Sequence, residues 1–145
     1  MQEVETLSLR TAGGGPVSTY NTSADASGYF TVTAPTFGNY IYWVKDPQTL
    51  ANSNFATLVE GGVNTVEMGI LREGDANDDN CVTLTDFNIL KNTFGRTSGD
   101  PGYDGQADFN GDDTISLADF NLLKGNFGSC GADTLSLVSA HSARR

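Results

Sequence analysis

The stretch Asp75–Gly95, DANDDNCVTLTDFNILKNTFG, returns without a gap at Asp108–Gly128 as DFNGDDTISLADFNLLKGNFG, with 11 of 21 positions identical. The shared positions are of two kinds, oxygen-bearing side chains and large apolar ones. Counting Asp75 as position 1, the oxygens fall at 1, 3, 5, 9 and 12: Asp75, Asn77, Asp79, Thr83 and Asp86, then Asp108, Asn110, Asp112, Ser116 and Asp119. A hard cation such as Ca²⁺ takes six to eight oxygens, and an EF-hand-like loop supplies them at these positions and from the backbone carbonyl of position 7. Position 7 is Cys81 in the first copy and Thr114 in the second. Two calcium ions are therefore expected, one per loop. Position 8, Val82 and Ile115, is β-branched and suits a short strand contact between two loops placed back to back.

The apolar half of the pattern predicts helices. Phe87, Leu90 and Phe94 recur as Phe120, Leu123 and Phe127, spaced i, i+3, i+7 on one helical stripe. Thr83 with Asp86 and Ser116 with Asp119 match an N-terminal capping signature, and Gly95 and Gly128 stand where helices stop. Position 6, Asn80 and Asp113, tolerates the left-handed conformation that such a turn needs. Between Glu73 and Asp133 there are 12 acidic residues against three basic ones, a net of −9 within a chain total of −10. Such crowding repels itself until a cation neutralises it.

A duplicated loop that lacks a leading amphipathic helix and carries Asp at position 12 resembles the dockerin family, over Glu73 to Gly131. The resemblance implies a calcium-folded module that docks on a cohesin-like partner. It places the chain in a secreted or cell-surface setting, as a non-catalytic part of a polysaccharide-degrading or adhesive system. It also implies a partner-binding face at Leu84, Thr85, Lys91, Leu117, Ala118 and Lys124. Positions 10 and 11 within that face, Leu84–Thr85 and Leu117–Ala118, depart from the hydroxyl pairs common in the family. Arg96–Ala107 is glycine-rich, so the family's middle helix is expected to be short or absent. The pseudo-twofold packing of such modules brings the chain end back to the first loop, which makes a Cys81–Cys130 disulfide feasible; free thiols or bridges to another chain are the alternatives.

The remainder predicts an α+β chain of two modules: an antiparallel β-sandwich over 1–72, the calcium module over 73–131, and a tail over 132–145. Strands are expected at Val4–Leu9, Val17–Asn21, Tyr29–Thr33, Tyr40–Lys45, Phe55–Val59 and Val63–Leu71, separated by turn residues. GYFTVTAP followed by GNYIYWV is similar to carboxypeptidase-regulatory-like or Cna-B-like modules. This half holds no paired carboxylates and no nucleophile beside a base, so no enzyme is expected. Tyr40, Tyr42 and Trp43 alternate along one strand, a pattern that divides aromatics between core and surface more often than it builds a sugar platform. His141 lies in the polar tail.

Acidity argues against nucleic acid as a partner, and no run of 18 apolar residues exists to span a membrane. Met1, Gln2 and Glu3 lack the basic and apolar start of an export signal, which is expected outside this chain or already removed. Thr134–Leu137 repeats the TLSL of Thr6–Leu9. If that tail donates a strand to the next copy, the chain is instead a self-assembling subunit of an extracellular filament or surface layer.

Overall fold

The structure, a computed structural model, describes residues 4–135. Two compact units emerge, and neither is one continuous stretch. One gathers Asp46–Ala51 with Ile70–Gly131; the other holds the chain through Lys45, Asn52–Gly69 and the residues from Ala132 on. A single cut at residue 72 therefore leaves Asp46–Ala51 on the wrong side. The tail expected over 132–145 is described only as far as Leu135, so strand donation by Thr134–Leu137 and the position of His141 lie outside the described residues.

In the sheet unit, β1 (Val4–Thr11), β2 (Ser18–Ser23), β3 (Gly38–Lys45) and β5 (Asn52–Leu58) form an antiparallel sheet in the order β2-β1-β3-β5. Alternation decides its buried face. Leu7 and Leu9 of β1 stand opposite Val44 and Tyr42 of β3, and all four are buried. On the other face Trp43 is also buried, its indole N–H donating to the Ala132 carbonyl at 2.8 Å. Tyr40, Tyr42 and Trp43 are thus 2%, 3% and 8% exposed, so these three present no platform for a sugar.

Tyr29–Thr33 and Val63–Leu71, expected as the third and sixth strands, form no ladder in the structure. Side chains anchor them instead. The Tyr20 hydroxyl donates to the Thr33 carbonyl at 2.9 Å, the Tyr42 hydroxyl to the Glu67 carbonyl at 3.4 Å, and Asn52 donates to the Met68 carbonyl at 2.9 Å. Period-2 patterning marks which residues face inward, but a ladder also needs a neighbouring backbone in register. Here side-chain donors reach single carbonyls of the two segments, Thr33, Glu67 and Met68. The described residues of this unit therefore form one four-stranded antiparallel sheet with extended segments held on it.

In the C-terminal unit, α1 (Leu84–Thr93) and α2 (Leu117–Asn126) join β4 (Thr49–Leu50) and β6 (Arg72–Glu73), which pair antiparallel. The antiparallel sheet and the two helices together make the chain α+β, as expected. Thr83 and Ser116 are the N-caps, and each closes a reciprocal capping box with Asp86 or Asp119. Gly95 and Gly128, at φ +82° and +85°, end the helices. The only helical turn between the copies is a 3₁₀ turn at Gly105–Ala107.

The core is Leu50, Ala76, Val82, Leu90, Ala107, Phe109, Ile115 and Leu123, with Phe87 and Phe120 packed against it edge to face at 6.1 Å. Phe94 and Phe127, which continue the same sequence stripe, stay outside that core at 50% and 51% exposed. Each is a C-cap with extended backbone, near φ −57° and ψ +134°, so the helical period stops one residue too early to carry it inward. The loop contact also differs from expectation, because Val82 and Ile115 do not pair with each other. Val82 exchanges backbone hydrogen bonds with Gly128 and Ser129 at 2.8 Å, and Ile115 with Gly95 and Arg96 at 2.9 Å. Each loop thus pairs with the chain leaving the other loop's helix.

Candidate metal centres

Local hydrogen bonding explains why each acidic stretch closes into a loop. Asp75 accepts from the Asp79 and Asn80 amides at 3.0 and 2.7 Å, and Asp108 accepts from Asp112 and Asp113 at 3.2 and 2.8 Å. Asn77 and Asn110 each accept from the amide two residues on at 3.2 Å. Asp79 and Asp112 accept from the position-7 amides of Cys81 and Thr114 at 3.0 and 2.9 Å. These are Asx-type turns in succession. They require left-handed residues at positions 4 and 6, supplied by Asp78 (φ +60°) and Asn80 (φ +69°) in one loop and Gly111 (φ +69°) and Asp113 (φ +65°) in the other.

Position 12 belongs to loop and helix together. Asp86 accepts from the Asn77 amide at 3.2 Å and the Thr83 amide at 2.7 Å; Asp119 accepts from Phe109 at 2.8 Å and Ser116 at 2.8 Å. The hydroxyls of Thr83 and Ser116 accept from the amides two residues on, at 3.3 and 3.2 Å. They act as caps, which accords with a position that reaches an ion through water.

Asp75, Asp86 and Asp119 are fully buried, and Asp108 is 7% exposed. In the second loop, Asp108, Asp112 and Asp119 bring carboxylate oxygens within 4.8 Å of one another. Carboxylate charges brought so close, on two buried residues and one exposed, repel one another. An all-oxygen set of three carboxylates and an Asn amide suits a hard cation, and Ca²⁺ fits it better than a thiolate- or imidazole-seeking metal.

Several contributors are not marked by the repeat. Tyr103 donates its hydroxyl to Asp108 at 3.0 Å. Burial first, then this bond and the Asp108 charge, push the Tyr103 pKa up to about 12. Gln48, far away in sequence, accepts the Gly74 and Asp75 amides on its backbone carbonyl at 3.1 Å. Its side-chain amide reaches the carbonyls of Gly105, Gln106 and Asp108 at 3.0, 3.0 and 3.1 Å. No spacing rule points to such a residue; the one hint is a short polar-apolar run, Gln48–Thr49–Leu50, in what otherwise reads as a loop.

Cys81 and Cys130 are joined by a disulfide and sit opposite each other in an antiparallel bridge. Leu84, Thr85, Lys91, Leu117, Ala118 and Lys124 are all exposed on the two helices, with Leu84 and Leu117 at 61% and 62%.

Residues 73–128 match the family described as the dockerin type I domain. Among solved structures, the chain is similar to one in the crystal structure of a C-terminal interface mutant of the type II cohesin–X-dockerin complex from Acetivibrio cellulolyticus. That likeness has a TM-score of 0.65 at 21% identity, over 90% of this chain and 85% of that one. A second structure, an N-terminal interface mutant of the same complex, gives 0.63 at 20% identity over the same shares. At such identities the likeness establishes the fold. A comparison with curated proteins gives no match.

Proposed function

We propose that this chain, whose residues 73–128 match the dockerin type I domain, is a calcium-folded docking module that attaches its parent protein to a cohesin-like partner. The observation that carries the reading is that two acidic loops repeat the same set of turn hydrogen bonds, each ending in a buried aspartate that also caps a helix. An ion held in each loop would relieve the repulsion among its carboxylates, and Asp86 or Asp119 would tie that site to the first turn of its helix. Ligands are Asp75, Asn77, Asp79, the Cys81 carbonyl and Asp86, with Thr83 through water. In the second loop they are Asp108, Asn110, Asp112, the Thr114 carbonyl and Asp119, with Ser116 through water.

The exposed residues Leu84, Thr85, Lys91, Leu117, Ala118 and Lys124 are the partner face. The similar solved structures are themselves cohesin–dockerin complexes, and the family is one of docking modules, so the role is attachment without catalysis. A disulfide suits an oxidising compartment, hence a secreted or cell-surface protein serving polysaccharide breakdown or adhesion. Among the described residues no helix is long and apolar enough to cross a membrane.

Calorimetric titration with calcium, paired with far-ultraviolet circular dichroism in chelator, tests the reading. Two binding events are expected, and chelation should unfold Asp46–Ala51 together with Ile70–Gly131, removing the helical signal. Capture by an immobilised cohesin domain should follow calcium. A helical signal indifferent to chelator, with no heat on adding calcium, would sink the proposal.

A further inference from the structure

Gln48 touches the same position of both loops. Its carbonyl takes the N–H of Asp75, position 1 of the first loop, and its amide donates to the C=O of Asp108, position 1 of the second. Three carbonyls share its two N–H donors, so the amide is fully used. The residue is 9% exposed and cannot exchange these partners for water. Its own placement is fixed on both sides. The Gln48 backbone N–H donates to the Asp46 carboxylate at 2.8 Å, and the neighbouring Thr49 and Leu50 are fully buried. Leu50 belongs to the core shared by both helices. Nearby, the Ala51 amide donates to Asn80 at position 6 of the first loop, at 2.8 Å. The segment is therefore a rigid strut between the loops.

We propose that Gln48 is a positioning residue that couples the two calcium sites, so that filling one loop raises the affinity of the other. The inference rests on the calcium reading of the loops. An ion in the second loop fixes the Asp108 peptide, and that peptide's carbonyl orients the Gln48 amide. The Gln48 carbonyl then fixes the Asp75 amide as the first loop closes. Because coupling is reciprocal, the effect runs equally in the other direction.

Terbium stands in for calcium at oxygen sites, and Tyr103, bonded to Asp108, sensitises its luminescence in the second loop. Luminescence thus reports that loop, while calorimetry reports the sum of both. Gln48→Met keeps the backbone carbonyl and the bulk but removes the amide. It should weaken terbium binding at the second loop about tenfold and abolish cooperativity in the calcium titration. A double-mutant cycle with Asp112→Asn, which disables the second loop alone, isolates the coupling. Asp112→Asn should weaken the first loop in the unaltered chain and have no such effect once Gln48→Met is present.

Wild-type affinity at both loops in Gln48→Met overturns the proposal. If Gln48→Met fails to fold, amide exchange in the Asp112→Asn chain decides. Faster exchange at Gly74 and Asp75, which donate to Gln48, supports coupling, and unchanged exchange overturns it. Neither heat nor luminescence in the unaltered chain would overturn the calcium reading itself, a result distinct from two sites that bind independently.

Discussion

The two repeats of the C-terminal unit are closed by equivalent backbone bridges, and the side chains that meet across those bridges differ. A shift of 33 residues carries Asp75 onto Asp108, Cys81 onto Thr114 and Thr97 onto Cys130. The Gly131 amide donates to the Asn80 carbonyl at 2.8 Å, and its counterpart Ser98 donates to Asp113 at 2.8 Å. Both 81–130 and 97–114 are antiparallel bridges. One is a disulfide, and the other brings two threonine hydroxyls to 3.4 Å. Since the threonine pair holds the same register, the disulfide is not needed to create it. The asymmetry follows from chain position. Thr97 lies mid-unit, with both flanks tied into helices, whereas Cys130 is one residue from the end of its unit, where a strand frays unless fastened.

The largest effect is expected from copying one half onto the other. Cys81→Thr with Cys130→Thr opens a covalent link across a sequence separation of 49 residues. Loop-closure entropy sets the loss at about 4 kcal/mol. Denaturant melting in saturating calcium measures it, and the early loss should be confined to the contacts of Val82 with Gly128 and Ser129. An unchanged midpoint would mean that backbone pairing alone secures the terminus, and the two halves would then be equivalent in energy as well as in shape.

How far the sequence reveals this unit depends on the range of the forces involved. Carboxylate spacing, capping boxes and terminal glycines act within one or two turns, so Asp75–Asp86, Asp108–Asp119 and both helices are legible directly. Alternation in Leu7–Leu9 and Tyr40–Val44 likewise reveals the central strands, because burial of one face imposes period 2. The partnerships are not legible. That Val82 pairs beyond the opposite helix depends on how two helices pack, and that Tyr29–Thr33 lacks a ladder depends on where a tyrosine hydroxyl reaches. Gln48 is the extreme case, since it serves the loops through one carbonyl and one amide and leaves no period to detect. Phe94 and Phe127 mislead because the stripe outlasts the helix by one residue.

The next comparison concerns packing at position 8. Val82 and Ile115 are both fully buried in the shared core. Ile115→Ala should cost roughly 3 kcal/mol and Val82→Ala roughly 2 kcal/mol, the gap reflecting the extra methylene removed. Thermal unfolding at fixed calcium checks both. If one substitution proved almost silent, its half would be able to collapse around the void, and the likeness of the two cores would be only apparent.

The smallest expected effect tests the helix starts. The Thr83 and Ser116 hydroxyls cap their helices alike, accepting from the Thr85 and Ala118 amides at nearly equal distances and from the N3 amide of each capping box, so Thr83→Ala and Ser116→Ala should each cost about 1 kcal/mol. Calcium affinity should fall far less than on removing Asp75 or Asp108, because a hydroxyl that reaches the ion through water can be replaced by a second water. Glycine at either position should cost only a few tenths of a kcal/mol, since it leaves the amides open to solvent. Equal losses in stability, measured by melting at saturating calcium, would confine the inequality of the repeats to the cysteine pair. A larger loss at Thr83 would instead show that the half carrying the disulfide also depends more on its cap, and that the link compensates for a weaker loop.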